Sequence, residues 1–184
     1  MSGIERKSRT LIKHGTIIDY YQDEMLLPDG STELWDIIEH RLGAAAIVPV
    51  TEDGRIILVR QTRPAIGKDT WEIPAGTRDA VDEPHMECAK RELTEETGYV
   101  SERIDHLISL NTTVAFSNEF VEVYIALDCK PTGQQHLDPA EDIRVVLFEV
   151  DSLKDMILSG EITDGKTISG ILAAELYMKK HGNP

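Results

Sequence analysis

The longest apolar run in the chain is Ala44 to Val50. That is strand length, far short of the roughly 20 apolar residues a membrane helix requires. The turn residues Glu52-Asp53-Gly54 separate it from a second apolar stretch, Arg55 to Gln61, so the pair reads as two strands joined by a hairpin-type turn. Residues 10 to 40 alternate in the manner of short antiparallel strands, placed at Thr16–Ile18, Glu24–Leu27 and Leu34–Glu39. Pro28-Asp29-Gly30-Ser31 supplies turn chemistry between the last two. Further strands are predicted at Ser101–Leu110, Glu119–Asp128 and Ile143–Val150. Helical spacing appears twice. One stretch runs from about Pro84, suited to a first helical position, to Thr97, with Gly98 as the natural stop. The other runs from about Lys166 to Lys180, with Ile168, Ile171, Leu172 and Leu176 on one face. A short helix at Leu153–Leu158 precedes it. Strands mixed with two or three helices predict an α/β sandwich.

Composition narrows the class. A chain of 184 residues suits one domain, or one domain with a small appendage. At 41% hydrophobic and 28% charged it can bury a core. The first nine residues are polar and lack the apolar stretch of a signal peptide, so a cytoplasmic location is expected. Cys88 and Cys129 lie far apart and near no other ligand at zinc spacing, and read as small buried apolar residues. The net charge is −14. Such a chain repels DNA and anionic membranes, so neither is an expected partner. A phosphate-containing substrate is repelled as well, unless divalent cations stand between acid and phosphate.

The stretch Arg91-Glu92-Leu93-Thr94-Glu95-Glu96-Thr97-Gly98 bears on that condition. Residues three and four apart share a helix face, so Glu92, Glu95 and Glu96 project to one side. Like charges so placed destabilise a bare helix by a few tenths of a kcal/mol per pair. Hard divalent cations bound by carboxylate oxygens offset that cost. The plainer reading is a solvated acidic helix face. Upstream, Trp71-Glu72-Ile73-Pro74-Ala75-Gly76 is a strand end running into a glycine loop, and Glu83 stands about two helical turns before Arg91, placed to pair with it.

Gly76, Glu83, Arg91, Glu92, Leu93, Glu95, Glu96, Gly98 and Tyr99 together resemble the signature of the Nudix hydrolase family. One departure stands out: six residues, where the signature has five, separate Gly76 from Glu83, which reads as a one-residue loop insertion. The resemblance implies a Nudix α/β/α sandwich with a small N-terminal antiparallel β-sheet. It implies that Glu92 and Glu96 bind the catalytic metals, that Glu95 binds a metal or a metal-bound water, and that the backbone carbonyl of Ala75 completes the set. Arg91 and Glu83 become structural, holding loop to helix. The cofactor implied is Mg²⁺, with Mn²⁺ as substitute, because attack on a diphosphate needs both charge neutralisation and an activated water.

Outside the signature, Leu58-Val59-Arg60-Gln61-Thr62-Arg63-Pro64 followed by Trp71 to Gly76 resembles the ADP-ribose pyrophosphatases of that family. Arg63 matches an arginine that contacts substrate phosphate; a surface salt bridge is the alternative. The N-terminal strands resemble a sheet that crosses to the other subunit of a homodimer, which sets expected boundaries at 1–42 for a dimer-forming extension and 43–184 for the hydrolase domain. Trp35 sits where some relatives stack a tryptophan on the base, worth roughly 1–3 kcal/mol by analogy with nucleic-acid binding; interface packing is the alternative. Glu141, in Asp138-Pro139-Ala140-Glu141-Asp142, matches a loop glutamate that ligates metal or deprotonates the attacking water. Asp138 and Asp142 are weaker choices, and an ordinary polar loop is the plain reading. Val114 stands where ADP-ribose enzymes usually carry proline, which points to a broader or different sugar range.

The expectation is therefore hydrolysis of a nucleoside diphosphate sugar, ADP-ribose first and GDP-mannose or ADP-glucose behind it. Two rivals are a nucleotide-pool cleanser acting on damaged triphosphates, which often lacks the N-terminal extension, and a non-catalytic Nudix-like ligand sensor, usually attached to a DNA-binding domain.

Overall fold

The computed structural model of the chain describes residues 3–137 and 142–182. The chain divides into two compact units, residues 1–43 with 111–120, and residues 44–110 with 121–184.

The first unit is a three-stranded antiparallel sheet of β1 (Glu5–His14), β2 (Ile18–Leu26) and β3 (Thr32–His40), in that order. Of the segments expected as separate strands, 24–27 falls mainly within β2 and 16–18 supplies only its first residue, Ile18, while no strand was placed at β1. Its sequence carries no buried face, and every residue of it is exposed. The turn at Pro28–Ser31 forms as predicted, closed by Leu27 N–H to the Ser31 carbonyl at 2.9 Å, with Gly30 at φ +86°. Cohesion within this sheet is strongly polar. Buried Asp23 takes the Nε and Nη2 of Arg9, each at 2.8 Å, and buried Asp19 takes Arg41 at 2.6 Å. Residues 111–120 belong to the same unit through Asn118, whose Oδ1 accepts from His40 N–H at 2.6 Å.

The second unit is built on a mixed sheet whose central path runs β11 (Arg144–Phe148), β5 (Ile56–Arg63), β4 (Ala44–Thr51), β10 (Phe120–Pro131), β8 (Tyr99–Val100). β6 (Lys68–Glu72) pairs with β5, β7 (Ala75–Thr77) with β4, and β9 (Arg103–Asn111) with β10. Among these pairings β4 and β10 run parallel. The helices are α1 (His85–Thr97), α2 (Val150–Leu158) and α3 (Gly165–His181). The unbroken apolar run of β4 is explained by burial on both faces. Ala46, Val48 and Val50 face a core shared with Leu153, Ile171, Ala174 and Met178 of α2 and α3. Ala45 and Ile47 face a second core with Cys88, Ala89 and Leu93 of α1. The result is a three-layer α/β/α sandwich. Among the described residues no helix is long and apolar enough to cross a membrane.

Two boundaries differ from expectation. Pro84 stands one position before α1 as its N-cap, with extended backbone and no side-chain cap, rather than as its first helical residue. α2 begins at Val150, in the segment expected to end a strand, which stops at Phe148. Gly98 ends α1 in the left-handed conformation, φ +69°, as a glycine there permits.

Candidate active site

β7 lies beside β4, with Ala75 opposite Ala46 and Gly76 opposite Ala45. This short strand brings the backbone of Ala75 and Gly76 against α1. Glu96 and Glu92, one helical turn apart, point at it. Glu96 Oε2 accepts from the Ala75 N–H at 3.2 Å. The Glu92 carboxylate rests so close to Gly76 that a Cβ there would overlap it. Both carboxylates are buried, Glu92 at 7% exposure and Glu96 at 3%, whereas the side chain of Glu95 is 39% exposed.

Arg91 ties this arrangement to the preceding loop. Its Nη1 donates to Glu92 Oε1 at 2.7 Å and Glu95 Oε2 at 3.0 Å, its Nε to Glu83 Oε1 at 3.3 Å, and its Nη2 to the Thr77 carbonyl at 3.2 Å. Burial disfavours the Arg91 charge, but Glu92, Glu95 and Glu83 outweigh it and raise its pKa. Glu83 also accepts from the Asp79 N–H at 2.6 Å, so the loop with the extra residue is pinned from both ends. The pairing of Glu83 with Arg91 across the loop–helix junction is as the spacing suggested.

The donors suit a hard divalent cation. They are oxygens, two of the carboxylates are withdrawn from water, and a glycine leaves room beside one of them. Among the described residues no three His, Cys, Asp or Glu side chains converge closely enough to form a finished ion cage. Glu92 and Glu95 instead share Arg91.

Arg63 lies at the end of β5. Its Nε and Nη2 donate to the two oxygens of Glu72, at 2.7 and 2.6 Å, while its side chain stays 42% exposed. Glu72 is 2% exposed. It also accepts from Thr70 Oγ1 and from Lys166 Nζ on α3. Burial pushes its pKa up, but the hydrogen bonds from Arg63 and the charge of Lys166 overcome this and bring it down to about 2. The sequence alone assigns Glu72 no role. The signal was there, a lone acid between apolar neighbours, but its partners were not visible.

Trp35 belongs to the first unit, in β3, half-buried, with its indole N–H on Glu33 at 3.2 Å. Glu141 and Asp138 lie outside the described residues. The stretch before them is fastened to the end of α1. His136 N–H donates to the Glu95 carbonyl at 3.0 Å, Gln135 Nε2 to that of Glu96, and Thr132 N–H to that of Gly98 at 2.7 Å. The structure thus gathers Ala75, Glu92, Glu95 and Glu96 in one place. The Arg63 guanidinium lies near enough to feel the negative charge of Glu96. Cys88 and Cys129 are buried free thiols, each pushed up to about 12 by burial.

The NUDIX domain family model matches residues 40–169. The ADP-ribose pyrophosphatase of Bacillus subtilis is 32% identical over 179 residues, 96% of this chain and 96% of that protein. The ADP-ribose pyrophosphatase of Mycobacterium tuberculosis is 33% identical over 181 residues, 98% of this chain and 87% of that protein. Among solved structures, one of an ADP compounds hydrolase matches with a TM-score of 0.87 at 18% identity, over 98% of this chain and 97% of that one, a likeness of fold.

Proposed function

The chain belongs to the Nudix family, and from that premise we propose that it hydrolyses the diphosphate bond of a nucleoside diphosphate sugar, ADP-ribose first, to a nucleoside monophosphate and a sugar phosphate. The observation that carries this reading is the buried pair Glu92 and Glu96 set against the Ala75–Gly76 backbone. In a chain of net charge −14, such a pair repels a phosphate unless cations stand between them.

In this reading Glu92, Glu95, Glu96 and the Ala75 carbonyl hold Mg²⁺, for which Mn²⁺ substitutes. When bound, the cation neutralises the diphosphate so that an anionic centre accepts a nucleophile. Arg63 presents the edge of its guanidinium not taken by Glu72 to a phosphate, a fork that suits phosphate oxygens. Glu141 takes the proton of the attacking water. Water oxygen bonds to one phosphorus, the bridging P–O bond breaks, and the two products leave as phosphate monoesters. Trp35 stacks on the base.

We further propose a homodimer in which residues 1–42 contribute to the partner's site. The first unit supports it: a three-stranded sheet held by polar pairs is marginal alone, and Leu11, Ile12 and Leu34 stay exposed on it. Two free buried cysteines suit a reducing compartment, the cytoplasm.

A panel of nucleoside diphosphate sugars digested in ¹⁸O-water with Mg²⁺, with products weighed by mass spectrometry, tests the reading. ADP-ribose should give AMP and ribose phosphate, one of them carrying the heavy oxygen. No monoester from any sugar nucleotide would overturn it and leave the ligand-sensor reading. Val114, where ADP-ribose enzymes usually carry proline, favours a second outcome in which GDP-mannose or ADP-glucose is the better substrate.

A further inference from the structure

Glu72 meets donors from three segments: Arg63 at the end of β5, Thr70 two residues before it, and Lys166 in the first turn of α3. A carboxylate taken out of water needs its lone pairs met. A bidentate arginine and a hydroxyl already meet much of that need, so Lys166 is a second cation on one carboxylate. Lys166 is itself largely enclosed, 15% exposed, and takes Asp164 as a further partner at 2.9 Å. Asp164 in turn caps α3 through Thr167 N–H at 3.0 Å, so the lysine is locked to the helix start.

The consequence is geometric. Both oxygens of Glu72 engage the Nε and Nη2 edge of Arg63, which fixes the plane of the guanidinium. Lys166 and Thr70 hold the same two oxygens, Lys166 on Oε2 and Thr70 on Oε1. An arginine recognises phosphate well when its plane is set beforehand, because less side-chain freedom is then lost on binding. We infer that Lys166 is a positioning residue: with Thr70 it holds Glu72 in the plane that aims the outer edge of Arg63 at a bound diphosphate. The diphosphate part of this inference rests on the function proposed above.

A double-mutant cycle in the full chain tests it. Lys166→Met should raise the KM for ADP-ribose about tenfold and leave kcat within about threefold, the pattern of lost binding rather than lost chemistry. Lys166→Arg should restore most of the KM. In an Arg63→Gln background Lys166→Met should add less than about twofold, because no guanidinium is left to aim. Effects that multiply in full would overturn the inference. A second readout needs no turnover. The Arg63 side-chain Nε–H resonance in ¹⁵N NMR should be sharp and slow to exchange in the parent, and broadened or lost in Lys166→Met. Thr70→Val, close in volume, should do the same and serves if Lys166→Met fails to fold. An unchanged Arg63 resonance in both variants, or in the one that folds, would overturn the inference. A parent that hydrolyses no sugar nucleotide would overturn the proposed function instead, and the NMR readout would then decide the positioning role alone.

Discussion

Carboxylates are at ease in water and costly inside a protein, so a buried glutamate asks what compensates it. For Glu72 the answer is Arg63 and Lys166. For Glu92 it is Arg91, whose Nη1 lies 2.7 Å away. Some of this was legible from sequence. The meeting of Arg91 with Glu95 follows from helical spacing, and Arg91 also meets Glu92 beside it and Glu83 in the loop before the helix. Lys166 was not legible as a partner of Glu72, because 94 residues separate them and no local pattern encodes the encounter. Glu141, outside the described residues, is the proposed base. Glu141→Gln keeps the size of the side chain but cannot accept the proton, so kcat should fall about 10²–10⁴-fold with a much smaller change in KM. Higher pH should partly rescue it, as hydroxide replaces the missing base. A variant that instead recovers when more Mg²⁺ is supplied marks Glu141 as a metal ligand. Measuring kcat against pH and Mg²⁺ separates the two, and a parental rate throughout would shift attention to Asp138 or Asp142.

At the level of elements, the site is a junction between a three-residue strand and the helix that follows it. α1 and α3, β4, β5 and β10 were readable because long periodic or continuous apolar runs leave little choice. β6 was readable only at its end, Trp71–Glu72; β7, three residues after Pro74, read as a glycine loop; and β1 was not readable, having no apolar face to betray it. Yet β7 is what brings Ala75 and Gly76 to the acids. Gly76→Ala isolates that contribution. The added methyl must displace the Glu92 carboxylate, which is the far end of a flexible side chain, so the fold should survive with a melting temperature near the parent's. The displaced ligand should raise the Mg²⁺ concentration for half-maximal activity by roughly tenfold, a cost of about 1.4 kcal/mol. Thermal melting beside an Mg²⁺ titration measures both. A parental Mg²⁺ requirement would mean that Glu92 does not hold the metal.

For the whole molecule, the two compact units are held by different means. The second has apolar cores on both faces of its sheet, whereas the first relies on buried Asp19 and Asp23 paired with Arg41 and Arg9 and leaves Leu34 64% exposed. That contrast supports a dimer, and deleting residues 1–42 should cost both dimerisation and activity. Light scattering with an ADP-ribose assay checks it, and a monomeric truncation with parental kcat/KM would refute the shared site. The inclusion of residues 111–120 in the first unit had no forerunner in the sequence, since contacts such as Asn118 with His40 depend on the finished fold. The central claim, that the acidic face of α1 performs Mg²⁺-dependent hydrolysis of a sugar nucleotide, is tested most directly by Glu96→Gln. The parent and the variant are compared at saturating Mg²⁺ for AMP released from ADP-ribose, with circular dichroism to verify folding. Loss of a metal ligand should remove several kcal/mol of transition-state stabilisation, so kcat should drop by roughly 10³-fold or more in a folded protein. A folded Glu96→Gln within about tenfold of the parent would contradict the account.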